Sequence, residues 1–343
     1  MQISTIGLDL AKNVFQVHGV DSAGKTVITK QLRRGQVLAF FAKLSPCLVG
    51  IEACATGHHW GRELAKLGHT VRLMPPSYVK GYVKRSKNDA ADAAAICEAV
   101  TRPSMRFVPI KTIDQQAALM LHRARELFIV QRTQLINAMR AHLAELGLVA
   151  PAGVDGLKSL LAIVAEATTT KQLPEPMLQA LQAFVAQLTA LQTQIGEIER
   201  GIHAQHRASD TSRRLETIPG IGVLGATAIT ATVADPSAFK SGREFAAWVG
   251  LVPRQHSTGG KSRLGSISKQ GDRYLRKLLV IGAMAVIRHA RTHPEKNPWL
   301  VQLLAKKPVK VVAVALANKL ARIAWAVMAK GESYRTPATV AAA

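Results

Sequence analysis

Cysteine is scarce in this chain. Cys47, Cys54 and Cys97 are the three in 343 residues, too few and too scattered for a disulfide framework or a zinc site, which fits a reducing cytoplasm. No run of about eighteen uncharged apolar residues occurs, so a membrane-spanning helix is not expected. The chain opens into a strand-like segment at Ile3 without a basic n-region or cleavage site, which argues against secretion. No P-loop pattern is present. Acids are scarce too: Lys and Arg outnumber Asp and Glu 45 to 22, a formal net charge of +23. Such an excess is better explained by a polyanionic partner than by a merely solvated surface. What remains is a globular composition, 48% apolar, long enough for two or three domains.

The few acids are not scattered at random. Asp9 ends the apolar run Ile6-Gly7-Leu8, and Glu52 ends Cys47-Leu48-Val49-Gly50-Ile51. An acid at the end of a buried strand is costly unless its charge is compensated. Asp89 and Asp92 lie three apart at the start of an alanine-rich run that should be helical, which places both on one face. Helix capping explains one of them; it explains two less well. Four converging acids would repel one another and would need a divalent cation, most naturally Mg²⁺ (or Mn²⁺) on oxygen ligands.

Residues 1–111 read as strands at Ile3–Leu10, Val14–Val20 and Thr26–Leu32, then a helix near Val37–Leu44 and a strand at Cys47–Ile51. A helix around Gly61–Leu67, a strand at Val71–Met74, a basic segment (Lys80, Lys84, Arg85, Lys87) and the Asp89 helix follow. The order βββαβαβ followed by α is that of the ribonuclease H-like fold, a mixed sheet whose first and fourth strands are central neighbours. Asp9 and Glu52 would then sit side by side, with Asp89 and Asp92 presented from a helix on the sheet.

Residues 112–208 read as a helical linker and coiled-coil arm. A helix over Ile113–Leu146 carries Leu119, Leu127, Val130, Leu135, Met139 and Leu143 at helical spacing. Arg123, Arg125, Arg132 and Arg140 on it mark either a phosphate-tracking face or a wet one. From Leu178 to Ile202 the apolar residues fall by threes and fours. Either a dimer seam or an intramolecular hairpin would bury that stripe; we read it as a seam, since a long arm between domains has little else to cover it.

Residues 209–333 read as a mostly helical domain, and 334–343 as a frayed tail. Ile218-Pro219-Gly220-Ile221-Gly222 before a helical Val223–Thr232 resembles the hairpin of helix-hairpin-helix DNA-binding modules, in which Gly220 and Gly222 would let backbone N–H groups approach a phosphate. Between Arg254 and Arg288 stand Arg254, Lys261, Arg263, Lys269, Arg273, Arg276, Lys277 and Arg288 against Asp272 alone. This is the densest candidate nucleic-acid surface. The glycine-rich segment His256–Lys261 reads as a flexible polar loop.

Gly7-Leu8-Asp9-Leu10-Ala11-Lys12, Ile51-Glu52-Ala53-Cys54-Ala55-Thr56-Gly57 and Asn88-Asp89-Ala90-Ala91-Asp92-Ala93 resemble the DEDD motif of the transposases of the insertion-sequence one-hundred-ten family. Ile-Pro-Gly-Ile-Gly, Gly250-Leu251-Val252-Pro253-Arg254 and Gly271-Asp272-Arg273-Tyr274-Leu275-Arg276 resemble that family's second domain, in wording nearest the eleven-eleven subgroup. The resemblance implies a cytoplasmic, nucleoid-associated recombinase with a RuvC-like domain that cuts and rejoins double-stranded donor and target DNA. It further implies a structured noncoding bridge RNA as guide, and a homo-oligomer, dimer to tetramer, joining the acids of one protomer to the serine of another. On that reading Asp9, Glu52, Asp89 and Asp92 are catalytic metal ligands, and Ser257 is the nucleophile. Ser262, Ser266 and Ser268 are rivals for the last role. The alternatives are a junction-cutting nuclease of similar fold, with water attacking, and a non-catalytic nucleic-acid binder.

Overall fold

Three strands, β1 (Thr5–Asp9), β2 (Val14–Val20) and β3 (Thr26–Arg33), form an antiparallel meander. The turn between the last two is built by Asp21, whose Oδ1 accepts the backbone N–H groups of Ala23 and Lys25. Helix crossovers then add parallel strands: α1 (Val37–Phe41) leads to β4 (Leu48–Glu52), and α2 (Gly57–Lys66) to β5 (Thr70–Met74). The sheet order is β3-β2-β1-β4-β5, with β4 parallel to β1. The two acid-bearing strands are thus central neighbours, and Ile6, Leu8, Val49 and Ile51 between their ends are fully buried. A short helix, α3 (Pro76–Val79), precedes the basic segment that begins at Lys80. The structure, a computed structural model, describes residues 2–83, 88–170 and 173–335. Lys84, Arg85 and Lys87 of that segment, and residues 336–343 of the tail, lie outside the described residues.

Helix α4 (Asp89–Val100) packs directly on the sheet centre. Gly7 and Gly50 are register partners on β1 and β4, and their missing side chains allow this approach. A Cβ at Gly7 would meet the Ala93 carbonyl oxygen and lie 2.8 Å from the Cys97 Cβ; one at Gly50 would lie 2.8 Å from the Val100 Cβ. Each glycine precedes its strand's acid by two residues. The two-residue period of a strand therefore puts glycine and acid on one face, the face α4 covers.

The chain divides into two compact units, Met1–Gln115 and Gln116–Ala343. The helices expected as a separate arm thus group with the C-terminal region. Helices α5 (Ile113–Ala144) and α7 (Glu175–Ala208) run antiparallel, tied by an Arg125–Glu199 ion pair at 2.7 Å and by His142 stacked on Phe184. Between them lies a helix absent from the sequence reading, α6 (Gly153–Thr170), whose Leu160 and Val164 pack with Met139, Leu143 and Leu181. The α7 stripe is therefore closed inside the chain. Leu178, Leu181, Leu188, Leu191, Ile195 and Ile202 are all buried there, which corrects the reading of the stripe as a dimer seam. On α5 the expected stripe splits in two. Met139 and Leu143 are buried, whereas Leu127 and Val130 face outward, because the polar side bearing His122 and Arg125 turns inward instead. The four α5 arginines divide likewise: Arg125 pairs with Glu199 and Arg140 donates to the Pro151 carbonyl, while Arg132 is half-buried and Arg123 exposed.

Helix α8 (Asp210–Glu216) continues from α7 without a break in packing. Buried His206 bonds Ser212 at 2.8 Å and Glu216 at 2.9 Å across the junction where a domain boundary was expected. The remaining elements are α9 (Val223–Thr232), α10 (Gly242–Trp248), a hairpin of β6 (Pro253–Gln255) and β7 (Leu264–Ile267), α11 (Arg273–Thr292), α12 (Pro298–Lys306) and α13 (Val309–Lys330). Among the described residues α13 is the one helix long and apolar enough to cross a membrane. Its Val312, Leu316, Ala317, Leu320 and Ala324 are instead core residues, packed with Leu215, Phe245 and Leu279.

Since the α7 stripe is internal, Val185→Asp with Leu188→Asp should destabilise the fold by about 3 kcal/mol or more. Thermal denaturation and light scattering test this: the melting temperature should fall while the folded protein's mass stays unchanged. A halved mass at an unchanged melting temperature would restore the seam.

Candidate active site

Asp9 is the last residue of β1, and Asp89 and Asp92 open α4 one turn apart. One carboxylate oxygen from each lies within 4.8 Å of the others. The capping role on α4 belongs to Asn88, whose Oδ1 accepts the Ala91 N–H at 2.8 Å, so neither aspartate is needed as the cap. Glu52 ends the adjacent strand, one step beyond the Leu8–Ile51 register pair. It lies outside the group of three, yet its charge is felt at Asp9. Burial pushes the Asp9 carboxyl up to about 6, and the charges of Asp92, Asp89 and Glu52 push the same way. The segment after Glu52 is tight. Cys54 N–H bonds back to the Glu52 carbonyl at 2.8 Å, and Thr56 takes φ +70°, a left-handed conformation costly for a β-branched residue and typical of strained functional loops. Sequence patterning gives no signal for that strain.

This donor set suits a divalent cation. All ligands are carboxylate oxygens, and their repulsion has no cationic side chain among the causes acting on Asp9, the condition a hard ion relieves. The thiols contribute nothing comparable: burial drives Cys47 and Cys97 up to about 11, and Cys54 is raised by burial and by Glu52.

Ser257 lies in the loop that joins β6 to β7, near the tip of that hairpin. Thr258-Gly259-Gly260-Lys261 closes that tip, with Gly259 at φ +54°, Gly260 at φ +78° and the Lys261 N–H bonded to the Thr258 carbonyl. Two successive positive φ values make the primed turn that matches strand twist. The Ser257 Oγ accepts the Arg263 N–H at 3.2 Å and the Gln255 Nε2 at 3.0 Å, and the residue is exposed. Ser262 and Ser266 are exposed as well, while Ser268 is half-buried at the hairpin base, its N–H bonded to the Val252 carbonyl.

The nucleic-acid candidates separate by packing. Arg254, Lys261, Arg263, Lys269 and Arg273 are exposed along the hairpin and the start of α11. Arg276 is spent on structure, donating to the Val249 and Gln270 carbonyls at 2.7 and 2.9 Å. Gly220, at φ +92°, faces α11: a Cβ there would lie 2.8 Å from Val286 and 3.0 Å from the Gly282 carbonyl oxygen. Its need for glycine is thus helix packing. Gly222, exposed with open space around it, remains a place where a phosphate could reach the start of α9.

A central mixed sheet ending in clustered carboxylates, followed by a basic helical unit, suits metal-assisted chemistry on a polyanion. A profile of DEDD-type transposases matches residues 6–147, and one described as the IS116/IS110/IS902 transposase family matches residues 212–297. A "Probable family 20 transposase" of Pseudomonas aeruginosa is 50% identical over 98% of this chain and 99% of its own length. The transposase for insertion sequence element IS1328 of Yersinia enterocolitica is 41% identical, over 97% and 98%. That for IS1111A of Coxiella burnetii is 38% identical, over 97% and 92%. The chain is a DNA transposase. It belongs to the IS110 family, with relatives of the IS1111 type.

The raised Asp9 carboxyl fixes a pH dependence. Its folded value of about 6 lies above the ordinary 3.8, so the folded metal-free protein binds this proton more tightly than the unfolded chain. The stabilising contribution is complete below 3.8 and is lost as pH rises through about 6. Thermal melts should show Mg²⁺ raising the melting temperature more at pH 7.5 than at pH 5. Asp9→Asn should flatten the metal-free slope, abolish the Mg²⁺ effect and abolish strand cleavage. A Mg²⁺ shift independent of pH and of Asp9 would remove this residue from the metal site.

Proposed function

We propose that this transposase cuts and rejoins DNA by serine transesterification, with Asp9, Glu52, Asp89 and Asp92 holding Mg²⁺ or Mn²⁺ and Ser257 as the nucleophile. The observation that carries the acid assignment is the convergence of three carboxylates from two elements on one strand end. When bound, the cation would neutralise charge developing on the phosphoryl oxygens. Ser257 Oγ attacks the phosphorus, an Oγ–P ester forms, and the P–O bond to one deoxyribose breaks. The Ser257 proton is given up, and the leaving deoxyribose oxygen gains one. The count of ester bonds is unchanged, so rejoining is the reverse step and needs no ATP. The N–H donors of Arg263 and Gln255 would hold Oγ in place and favour negative charge on it, while Lys261 and Arg263 would screen the phosphate.

The same reading includes an element-encoded structured RNA as guide and an assembly of two to four protomers. Support for the RNA is the charge of +23 together with the resemblance of the motifs; contacts between protomers must come from surfaces other than the α7 stripe. The helix-hairpin-helix-like segment would meet DNA through Gly222 rather than Gly220.

Ser257→Ala should bind DNA and RNA normally but yield no covalent protein–DNA adduct on a denaturing gel. Mixed with Asp89→Asn protein, it should recover part of the activity if each site draws on two protomers. An adduct of normal yield from Ser257→Ala would transfer the role to Ser262 or Ser266. Cleavage by the parent protein without any adduct would favour the nuclease alternative, with water attacking.

RNA guidance has its own test. Protein purified at low salt should carry RNA, and the association should weaken by decades over a modest rise in salt. A ribonuclease-treated sample that recombines its two DNA sites unaided would exclude a guide.

A further inference from the structure

We propose that the outer face of α12 and α13 is a second nucleic-acid contact, which takes an unpaired nucleotide by stacking its base on Trp299. Three of the four tryptophans have evident structural roles. Trp60 packs edge-on against Phe15, Trp248 sits among Phe239 and Phe245, and Trp325 donates its indole N–H to the Pro236 carbonyl at 3.1 Å. Trp299 has no aromatic or carbonyl partner of this kind among the described residues, and 46% of it is exposed. An indole so far exposed, with no partner for its N–H among the described residues, is unusual.

Its setting names the ligand. The Lys319 Nζ stands 4.4 Å from the Trp299 ring centroid, a cation–π contact that fixes the ring and places a positive charge beside it. Lys296, three residues before Trp299, and Arg322, one turn beyond Lys319, are exposed as well. So are Lys306 and Lys307 at the turn between the helices. From Arg288 to Lys330 the sequence has a single carboxylate, Glu295. An aromatic ring framed by cations matches single-stranded nucleic acid: the ring takes a base face, and the cations take the flanking phosphates. Intact duplex keeps its base faces stacked on one another and offers none to the indole. Strand exchange exposes unpaired nucleotides, which gives a transposase a use for such a platform. Trp299 lies just beyond residues 212–297, the span matched by the transposase profile. The inference rests on the chain acting on nucleic acid, and on neither Ser257 nor RNA guidance.

Fluorescence anisotropy with short labelled oligo(dT), oligo(U) and duplex DNA tests it on the full chain. Trp299→Ala should weaken binding of the single strands about tenfold, Trp299→Phe should keep most of the affinity, and neither should alter duplex binding. Adding oligo(dT) should quench the parent's tryptophan emission, and that quench should be lost in Trp299→Phe. Lys319→Gln should weaken single-strand binding by a smaller factor. The relative affinity for oligo(dT) and oligo(U) then says which strand the site takes. Parent-like single-strand affinity in Trp299→Ala, or an undiminished quench in Trp299→Phe, overturns the proposal. The quench decides the matter if the alanine variant fails to fold. Either of those results beside a normal Ser257 adduct would sink this inference and leave the transesterification reading standing.

Discussion

Carboxylates held within 4.8 Å of one another repel, and at an effective dielectric of about 20 each ionised pair costs on the order of 3–4 kcal/mol. No side-chain contact within the cluster can hold such groups together. What holds them is backbone approach: α4 is pressed onto β1 and β4 where Gly7 and Gly50 leave no Cβ. With Ile6, Leu8, Val49 and Ile51 fully buried beneath, the helix has one seat on the sheet, and that seat delivers Asp89 and Asp92 to Asp9. Burial pushes the Asp9 carboxyl up to about 6, and the neighbouring carboxylates add to that rise. The fold therefore stores, in its metal-free form, the repulsion that a divalent ion would relieve.

The same device recurs in the second unit. The base of the β6–β7 hairpin is fixed where Gly250 and Gly271, both at positive φ, let the chain close on Gln270 and Trp248. Arg276 then ties that closure to the Val249 and Gln270 carbonyls. Asp272 caps α11 immediately after, accepting the Tyr274 and Leu275 N–H groups. Tyr274 in turn bonds buried His122 at 3.0 Å, whose other ring nitrogen meets Thr227. Hairpin base, α11, α5 and α9 are thus joined through one polar network inside an apolar core, where satisfied polar groups specify a single arrangement. Ser257 sits exposed in the connection at the far end of this hairpin.

Much of this was legible in the residues. The order of strands and helices, and the placement of an acid after each central strand, follow from period-two runs ending in Asp9 and Glu52. The glycine two positions before each acid carried the packing signal as well, but only the register pairing of β1 with β4 shows that one helix uses both. Asn88 beside Asp89 held the answer to the capping question, because a cap with β-region backbone precedes the first helical residue. The α7 stripe misled for a physical reason: threes-and-fours spacing says that a helix buries a face, never in whose core. Helix α6, which covers the start of the stripe around Leu181, lies between Pro151 and Pro174 and shows no clear apolar period of its own. The hairpin was missed because β6 and β7 are only three and four residues long, too short for alternation to register. Thr-Gly-Gly-Lys, with two glycines suited to positive φ, was the available sign.

Charge completes the account of how so basic a chain can keep an acidic site. Several acids outside the cluster are spent close to home: Glu63 on Lys66, Glu126 on Lys277, Glu199 on Arg125. Such pairs neutralise cations locally and leave the excess of Lys and Arg to set the field at longer range, where it draws a polyanion and is screened by salt within about 10 Å. The carboxylates at the end of β1 act only over short distances and, bare, oppose a phosphate. The charge that attracts nucleic acid and the carboxylates suited to a cation are therefore carried by different residues. A protein that binds through the first without the second filled would hold DNA and leave it intact, which is the safer default for an enzyme that breaks strands.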